Sequence, residues 1–241
     1  MRLLRVLTIA FFLNSAISTF AAVEMPAKSY LKGLTWLGHA SFRLSHDGQT
    51  IYLDPWKLTS EPHDADLVLI THPHFDHCDA ESVKKVSKAT TILVAPKEAI
   101  EKLKGEGVTA KAFWLVEPGS QNHLRGIQIQ AVLAYNTNKT FHLKESKWVG
   151  FLIEWDGVRY YHAGDTDSIP EMKDLHVDVA LLPVSGTYVM TAQEAAEAAR
   201  IINPKVAVPM HYGSLVGSKA DAERFKEFCG GVVVEILEEQ R

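Results

Sequence analysis

Asp66-Leu67-Val68-Leu69-Ile70-Thr71-His72-Pro73-His74-Phe75-Asp76-His77-Cys78-Asp79 joins a nearly continuous apolar run to a segment crowded with imidazoles and carboxylates. Residues 66–70 predict a strand buried on both faces, because a half-exposed strand would alternate. Three His and two Asp then follow within residues 72–79, although the whole chain holds only 11 His. Imidazole and carboxylate are the ligands that borderline divalent ions such as zinc take, and a loop leaving a buried strand can aim alternate side chains into one pocket. His72 and His74 are expected to point together, with Asp76 and His77 turned toward a second position. A helix over residues 80–88 is expected next.

Outward from this segment the chain repeats one pattern. Upstream, residues 34–37, 41–44 and 50–53 read as short strands, and Asp47-Gly48 is a tight hairpin signal. Downstream, residues 90–94 form a second buried strand. Residues 126–132, 149–155 and 158–162 make another antiparallel set, the last two joined by Asp156-Gly157. Residues 177–184 predict a buried strand, Thr191-x-x-Glu194 a capping box opening an Ala-rich helix to residue 202, residues 205–208 a strand, and residues 221–229 an amphipathic helix stopped by Gly230. A meander followed by strand-helix alternation thus occurs twice. No long linker or low-complexity segment separates the halves, so the reading is one α/β domain with helices outside the sheets.

Composition excludes several function classes. Hydrophobic residues at 46% and charged residues at 22% are ordinary for a folded soluble chain. The net charge is -4 and no basic block could neutralise a row of phosphates, so nucleic acid is not an expected partner. Arg2 and Arg5, the apolar run of residues 6–13 and the small residues ending at Ala21-Ala22 have the layout of a secretory signal peptide. Residues 1–21 are read as that signal, cleaved after Ala21, and residues 22–241 as the mature domain, periplasmic or secreted. The apolar run falls short of the ~20 residues that span a bilayer, so no stable membrane anchor is expected after cleavage. Cys78 and Cys229 are the only cysteines and can pair only if the fold brings them close. Nothing in the pattern marks an oligomer interface.

The His-x-His-x-Asp-His run after an apolar strand resembles the metallo-β-lactamase superfamily of binuclear metal hydrolases. Phe141-His142, then His162-Ala163-Gly164-Asp165-Thr166-Asp167, then Pro209-Met210-His211-Tyr212-Gly213 look like its remaining ligand positions, in the order His, Asp, His. Trp36-Leu37-Gly38-His39-Ala40-Ser41-Phe42 and Asp54-Pro55-Trp56 resemble the opening of the branch of metal-dependent hydrolases related to ascorbate-6-phosphate lactonase and N-acyl-phosphatidylethanolamine phospholipase D. The likeness covers residues 33–237. It implies a four-layer αββα sandwich with two divalent metal ions at one edge, zinc first, with manganese or iron suited to the same donors. His72, His74 and His142 would hold one metal, Asp76, His77 and His211 the other, and Asp165 would bridge. The implied reaction is attack by a bridging hydroxide on an ester, lactone or phosphodiester bond of a small substrate, with Asp76 as the catalytic residue that orients the nucleophile or moves its proton. A non-catalytic metal-binding or sensing protein, and an iron-loaded redox protein, are the rival readings. His74, where diiron oxidoreductases place a carboxylate, favours hydrolysis over the latter.

Other positions carry weaker assignments. His123 competes with His142 as third ligand of the first metal. His39, Asn136, Lys144, His162 and Tyr188 are candidates for substrate contact or for support of the ligands. Lys144 could receive a phosphate or carboxylate at the pocket rim, and could equally be a solvated loop residue. His162 is expected to be buried support rather than a ligand. Cys229 is expected in the core.

Overall fold

Each half of the chain builds one six-stranded sheet. In the first, β1 (Leu34–Gly38), β2 (Ser41–His46) and β3 (Gln49–Leu53) run antiparallel, and β4 (Ala65–Leu69), β5 (Ser87–Ala95) and β6 (Ala112–Leu115) continue the sheet in parallel. In the second, β7 (Gln121–Leu124), β8 (Ile127–Leu133), β9 (Val149–Trp155) and β10 (Val158–His162) are antiparallel, followed by β11 (Val179–Pro183) and β12 (Val206–Met210) in parallel. The helices are α1 (Ala80–Val86), α2 (Lys97–Gly105), α3 (Ala192–Ile202) and α4 (Lys219–Phe228). This is a computed structural model, and it describes residues 26–241. The expected signal peptide and its cleavage point lie outside the described residues. No helix among the described residues is long and apolar enough to cross a membrane.

Period-two geometry explains the continuous apolar run of β4. Val68 and Ile70 face outward and pack with Tyr52 and Leu93 under Val83, Val86, Ala99 and Leu103 of α1 and α2. Leu67 and Leu69 face inward and join Phe42, Ile51 and Leu53 against Ile129, Phe151 and Ile153 of the second sheet. Burying each of these side chains contributes about 1.5–3 kcal/mol. On the far side, Ala195, Ala196 and Ala199 of α3 and Phe225 of α4 belong to the same core, with α3 against β11 and α4 against β12. The layers therefore run helix, sheet, sheet, helix, as the αββα reading expected.

Local signals set several boundaries. Asp47-Gly48 and Asp156-Gly157 are two-residue hairpin loops with positive φ at both positions, which Gly and Asp tolerate. Thr191 and Glu194 form the reciprocal capping box at α3. The expected helix over 80–88 is corrected: α1 ends at Val86, and Ser87 already pairs with Ala65 in the parallel ladder. Tertiary strand pairing takes Ser87 and Lys88 out of the expected helix and into β5. Helix α2 and strands β6 and β7 were not anticipated. Cys78 and Cys229 are both buried free thiols, one in each hydrophobic cluster, so no disulfide forms.

The connections that leave the carboxyl ends of β1, β3, β4, β10, β11 and β12 gather at one edge of the sandwich. His211 N donates to His39 O at 2.9 Å, Val149 N to Thr71 O at 3.2 Å, and His162 Nε2 to Ala40 O at 2.8 Å, tying the two sheets together there.

Candidate metal centre

Every strand end at that edge delivers a polar side chain. His39 follows β1, Asp54 follows β3, His72 to His77 follow β4, Asp165 follows β10, Ser185 follows β11 and His211 follows β12. His39, Asp54, His142 and His211 all have left-handed backbone, with φ between 42° and 61°. His and Asp enter this region more readily than most residues, and retaining side chains here instead of glycine marks positions where the side chain is needed.

Asp165 is the centre of the cluster. Its Oδ1 lies 3.1 Å from His77 Nε2 and 3.2 Å from His211 Nε2, while its Oδ2 lies 3.3 Å from His142 Nε2 and 3.9 Å from His72 Nε2. His74 Nδ1 is 3.1 Å from His142 Nε2, completing a group of His72, His74 and His142. Asp76 Oδ2 is 3.7 Å from His77 Nε2 and 3.8 Å from His211 Nε2, and with His39 these make a second group. The Nε2 atoms of His72, His77 and His211 and Oδ1 of Asp165 are buried without a hydrogen-bond partner. Buried donors and acceptors are nearly always satisfied, so four orphans aimed at one space fit cation binding.

The residues behind the cluster fix its tautomers. His77 Nδ1–H donates to Asp54 Oδ2 at 2.8 Å. Thr71 Oγ1–H donates to the same oxygen at 2.6 Å and accepts from His72 Nδ1–H at 2.9 Å, while Thr71 N donates to Asp54 Oδ1 at 2.8 Å. One buried carboxylate thus turns the Nε2 atoms of two histidines inward. Ser185 Oγ lies 3.0 Å from His211 Nδ1 and plays the same part there. Gly164, at φ 63°, makes the turn into Asp165, and a Cβ on it would meet Val149 O at 3.0 Å and the Thr71 side chain at 3.2 Å.

Burial and neighbouring charge set the protonation states. Burial holds His72 well below the ordinary histidine range and brings His39 and His142 down to about 4. Burial also works against a charged His77, but the Asp165 and Asp54 carboxylates outweigh it and hold His77 well above that range. Burial pushes the Asp76 carboxyl up, yet the hydrogen bond from His39 and the charge of His77 win and leave it at about 2. Asp165 is held well below the carboxylate range by His211 and His77 against its own burial.

The remaining sequence candidates divide clearly. His39 Nε2–H donates to Asp76 Oδ2 at 2.9 Å and its ring lies 4.0 Å from that of His211, so it belongs to the cluster. Asn136 Nδ2 lies 3.3 Å from His142 Nδ1 and donates to Phe141 O and to Tyr188 O, which braces the His142 loop. His162 is buried support: it holds Ala40 O and accepts from Gly164 N at 3.2 Å. Lys144 stands outside the cluster, engaged with Glu171 at 2.9 Å and the Tyr135 hydroxyl at 3.3 Å. His123 is exposed on edge strand β7, away from the cluster. Sequence reasoning gave no role to Trp148, whose ring lies 5.2, 4.8 and 5.5 Å from those of His72, His74 and His142 and walls that group. It also gave Asp54 no link to His77. A tryptophan opening a strand carries no signal of such a role, whereas Asp54 was visible in the Asp54-Pro55-Trp56 motif.

Residues 33–211 match the family profile of the beta-lactamase superfamily domain. The chain belongs to the metallo-β-lactamase superfamily. It is 36% identical over 211 residues to a UPF0173 metal-dependent hydrolase of Thermoplasma acidophilum, covering 83% of this chain and 91% of that one. Among solved structures, one described as a metal-dependent hydrolase of Parabacteroides distasonis superposes with a TM-score of 0.72 at 34% identity, over 86% of this chain and 93% of the other. A metallo hydrolase of Ignicoccus hospitalis gives 0.70 at 29% identity, over 86% and 95%. As a member of this superfamily the chain is a metal-dependent hydrolase whose His/Asp cluster is able to bind metal.

Proposed function

We propose that this hydrolase holds two divalent cations, zinc first, and cleaves an ester, lactone or phosphodiester bond in a small substrate. His72, His74 and His142 would hold one ion, Asp76, His77 and His211 the other, and Asp165 both. The observation that carries the reading is the division of Asp165, whose two oxygens face different histidine pairs at 3.1–3.9 Å. A shared carboxylate offsets the repulsion of two dications. When bound, such ions supply hydroxide at neutral pH and polarise the scissile group.

The chain's own residues do the rest. Asp54, Thr71 and Ser185 lock the imidazoles, so the donor set is in place before substrate arrives. Asp76 is ionised at neutral pH, so it can accept a hydrogen bond from the nucleophile and orient it, then take the nucleophile's remaining proton as the addition proceeds and return it to the leaving oxygen. His39, donating to Asp76 Oδ2, orients the carboxylate for both transfers. Trp148 and the buried strand ends limit water around His72.

The proposal extends to export. The family match begins at residue 33 and leaves residues 1–21 outside it, as a removable leader requires. The test of the central reading is elemental analysis of the protein purified without added metal, joined to turnover of a lactone, bis-p-nitrophenyl phosphate and a β-lactam. About two metals per chain with chelator-sensitive turnover are expected. A single metal at saturation would sink the two-cation assignment.

A further inference from the structure

Eight large hydrophobic side chains are exposed among the described residues, and four of them stand on the loops that carry the metal cluster. Phe75, 59% exposed, separates His74 from Asp76; Phe141, 47% exposed, and Leu143 flank His142; Leu215 follows His211 by four residues. The Phe75 ring lies 6.3 Å from that of Trp56, which lies 4.9 Å from His39, and the Phe141 ring lies 5.1 Å from that of Tyr188. Two aromatic pairs therefore border the cluster, one on its His39 side and one on its His142 side. Scattered apolar residues on a surface carry no message, but a concentration around a polar centre is the usual make-up of a site for a partly apolar ligand.

The cations near the cluster are already engaged. Lys139 pairs with Asp167, Lys144 with Glu171, and Arg241 with Glu239, while Lys102 donates to Pro73 O and Cys78 O. Beyond the metal ions proposed above, an anionic phosphate would gain a further counter-charge only from Lys57, which stands 4.4 Å over the Trp56 ring, or by breaking one of these pairs.

We infer that the substrate is an uncharged ester or lactone whose apolar acyl or aryl body lies across Phe75, Phe141, Leu143 and Leu215. This rests on the hydrolase reading above and narrows it. Water oxygen bonds to the carbonyl carbon, the acyl carbon–oxygen bond breaks, one water proton goes to the leaving alkoxide, and the other leaves with the carboxylic acid product.

The experiment compares p-nitrophenyl acetate, butyrate and octanoate with bis-p-nitrophenyl phosphate, using the metal-containing protein and a Phe75→Ser/Phe141→Ser double variant. Each methylene removed from water is worth up to about fourfold, so kcat/KM for octanoate should exceed that for acetate by at least about tenfold. In the variant that ratio should fall toward one through KM, with metal content and Tm kept. Binding of octanamide, followed by calorimetry, should weaken at least about fivefold in the same variant. A flat series, preference for the phosphodiester, an unchanged ratio in the variant, or no ester turnover by fully metallated protein would overturn the inference. So would a variant that alters only self-association or sedimentation with phosphatidylcholine vesicles. Failure to bind metal would instead overturn the hydrolytic-centre reading beneath it.

Discussion

His77 Nδ1 and Asp54 Oδ2 are 2.8 Å apart, both side chains fully buried, and the same oxygen takes the Thr71 hydroxyl that orients His72. Asp54 therefore acts on both halves of the cluster without facing the shared space itself. Asp54→Asn should keep the size of the side chain while presenting an amide N–H to one of its donors. Metal affinity is expected to fall about 10–100-fold at both positions, measured by competition with a chromophoric chelator. A loss confined to one position would contradict the shared role.

Removing Asp165 should act on both ions together, because its two oxygens serve different histidine pairs. Asp165→Ala is expected to lower both equivalents of bound metal, whereas His72→Ala should lower mainly one. Elemental analysis after equilibrium dialysis separates the cases, and equal small losses in the two variants would rule out bridging.

Metal binding should depend on pH through His77. Its imidazolium is stabilised by Asp165 and Asp54, so a cation must displace that proton at Nε2. Affinity is expected to fall as pH drops below the folded His77 value, with about one proton released from His77 by the ion it binds, read by calorimetry in buffers of different ionisation heat. In cation-free protein the sign is reversed. The raised His77 contributes stability fully present below the unfolded value of 6.5 and lost as pH rises through the folded value. Asp76, depressed from 3.8 to about 2, contributes stability present above 3.8 and lost as pH falls toward 2. Chelator-treated protein whose stability rises steadily from pH 6 to 9 would contradict the His77 assignment.

Gly164→Ala places a Cβ at φ 63° against Val149 O and Thr71. A loss of about 1–2 kcal/mol and a Tm drop of about 2–8 °C are expected. Turnover should fall further than stability does, because the strained turn also positions Asp165 and crowds Thr71. Unchanged turnover at a lowered Tm would show that the turn only supports the fold.

If residues 1–21 are a signal peptide, protein recovered from the periplasm or medium should begin at or near Ala22. N-terminal sequencing decides this, and an intact Met1 on exported protein would refute cleavage.

What the sequence alone determined was local. The buried character of residues 66–70, the His72-to-His77 ligand run, the Asp-Gly hairpins and the Thr191–Glu194 cap each depend on neighbours a few positions away, so their chemistry can be read in order along the chain. Resemblance to the metallo-β-lactamase superfamily carried the reading further, to His142, Asp165 and His211 as candidate ligands. Tertiary structure decided what depends on distant partners. Ser87 leaves the helix because Ala65, 22 residues earlier, offers it a strand ladder. Asp54 lies 23 residues before His77. His39 reaches Asp76 across 37 residues, and His123 is set aside because β7 is an exposed edge. Hydrogen bonds that orient a ligand have no period and no fixed spacing; they exist only once two sheets bring the carboxyl ends of six strands to one edge.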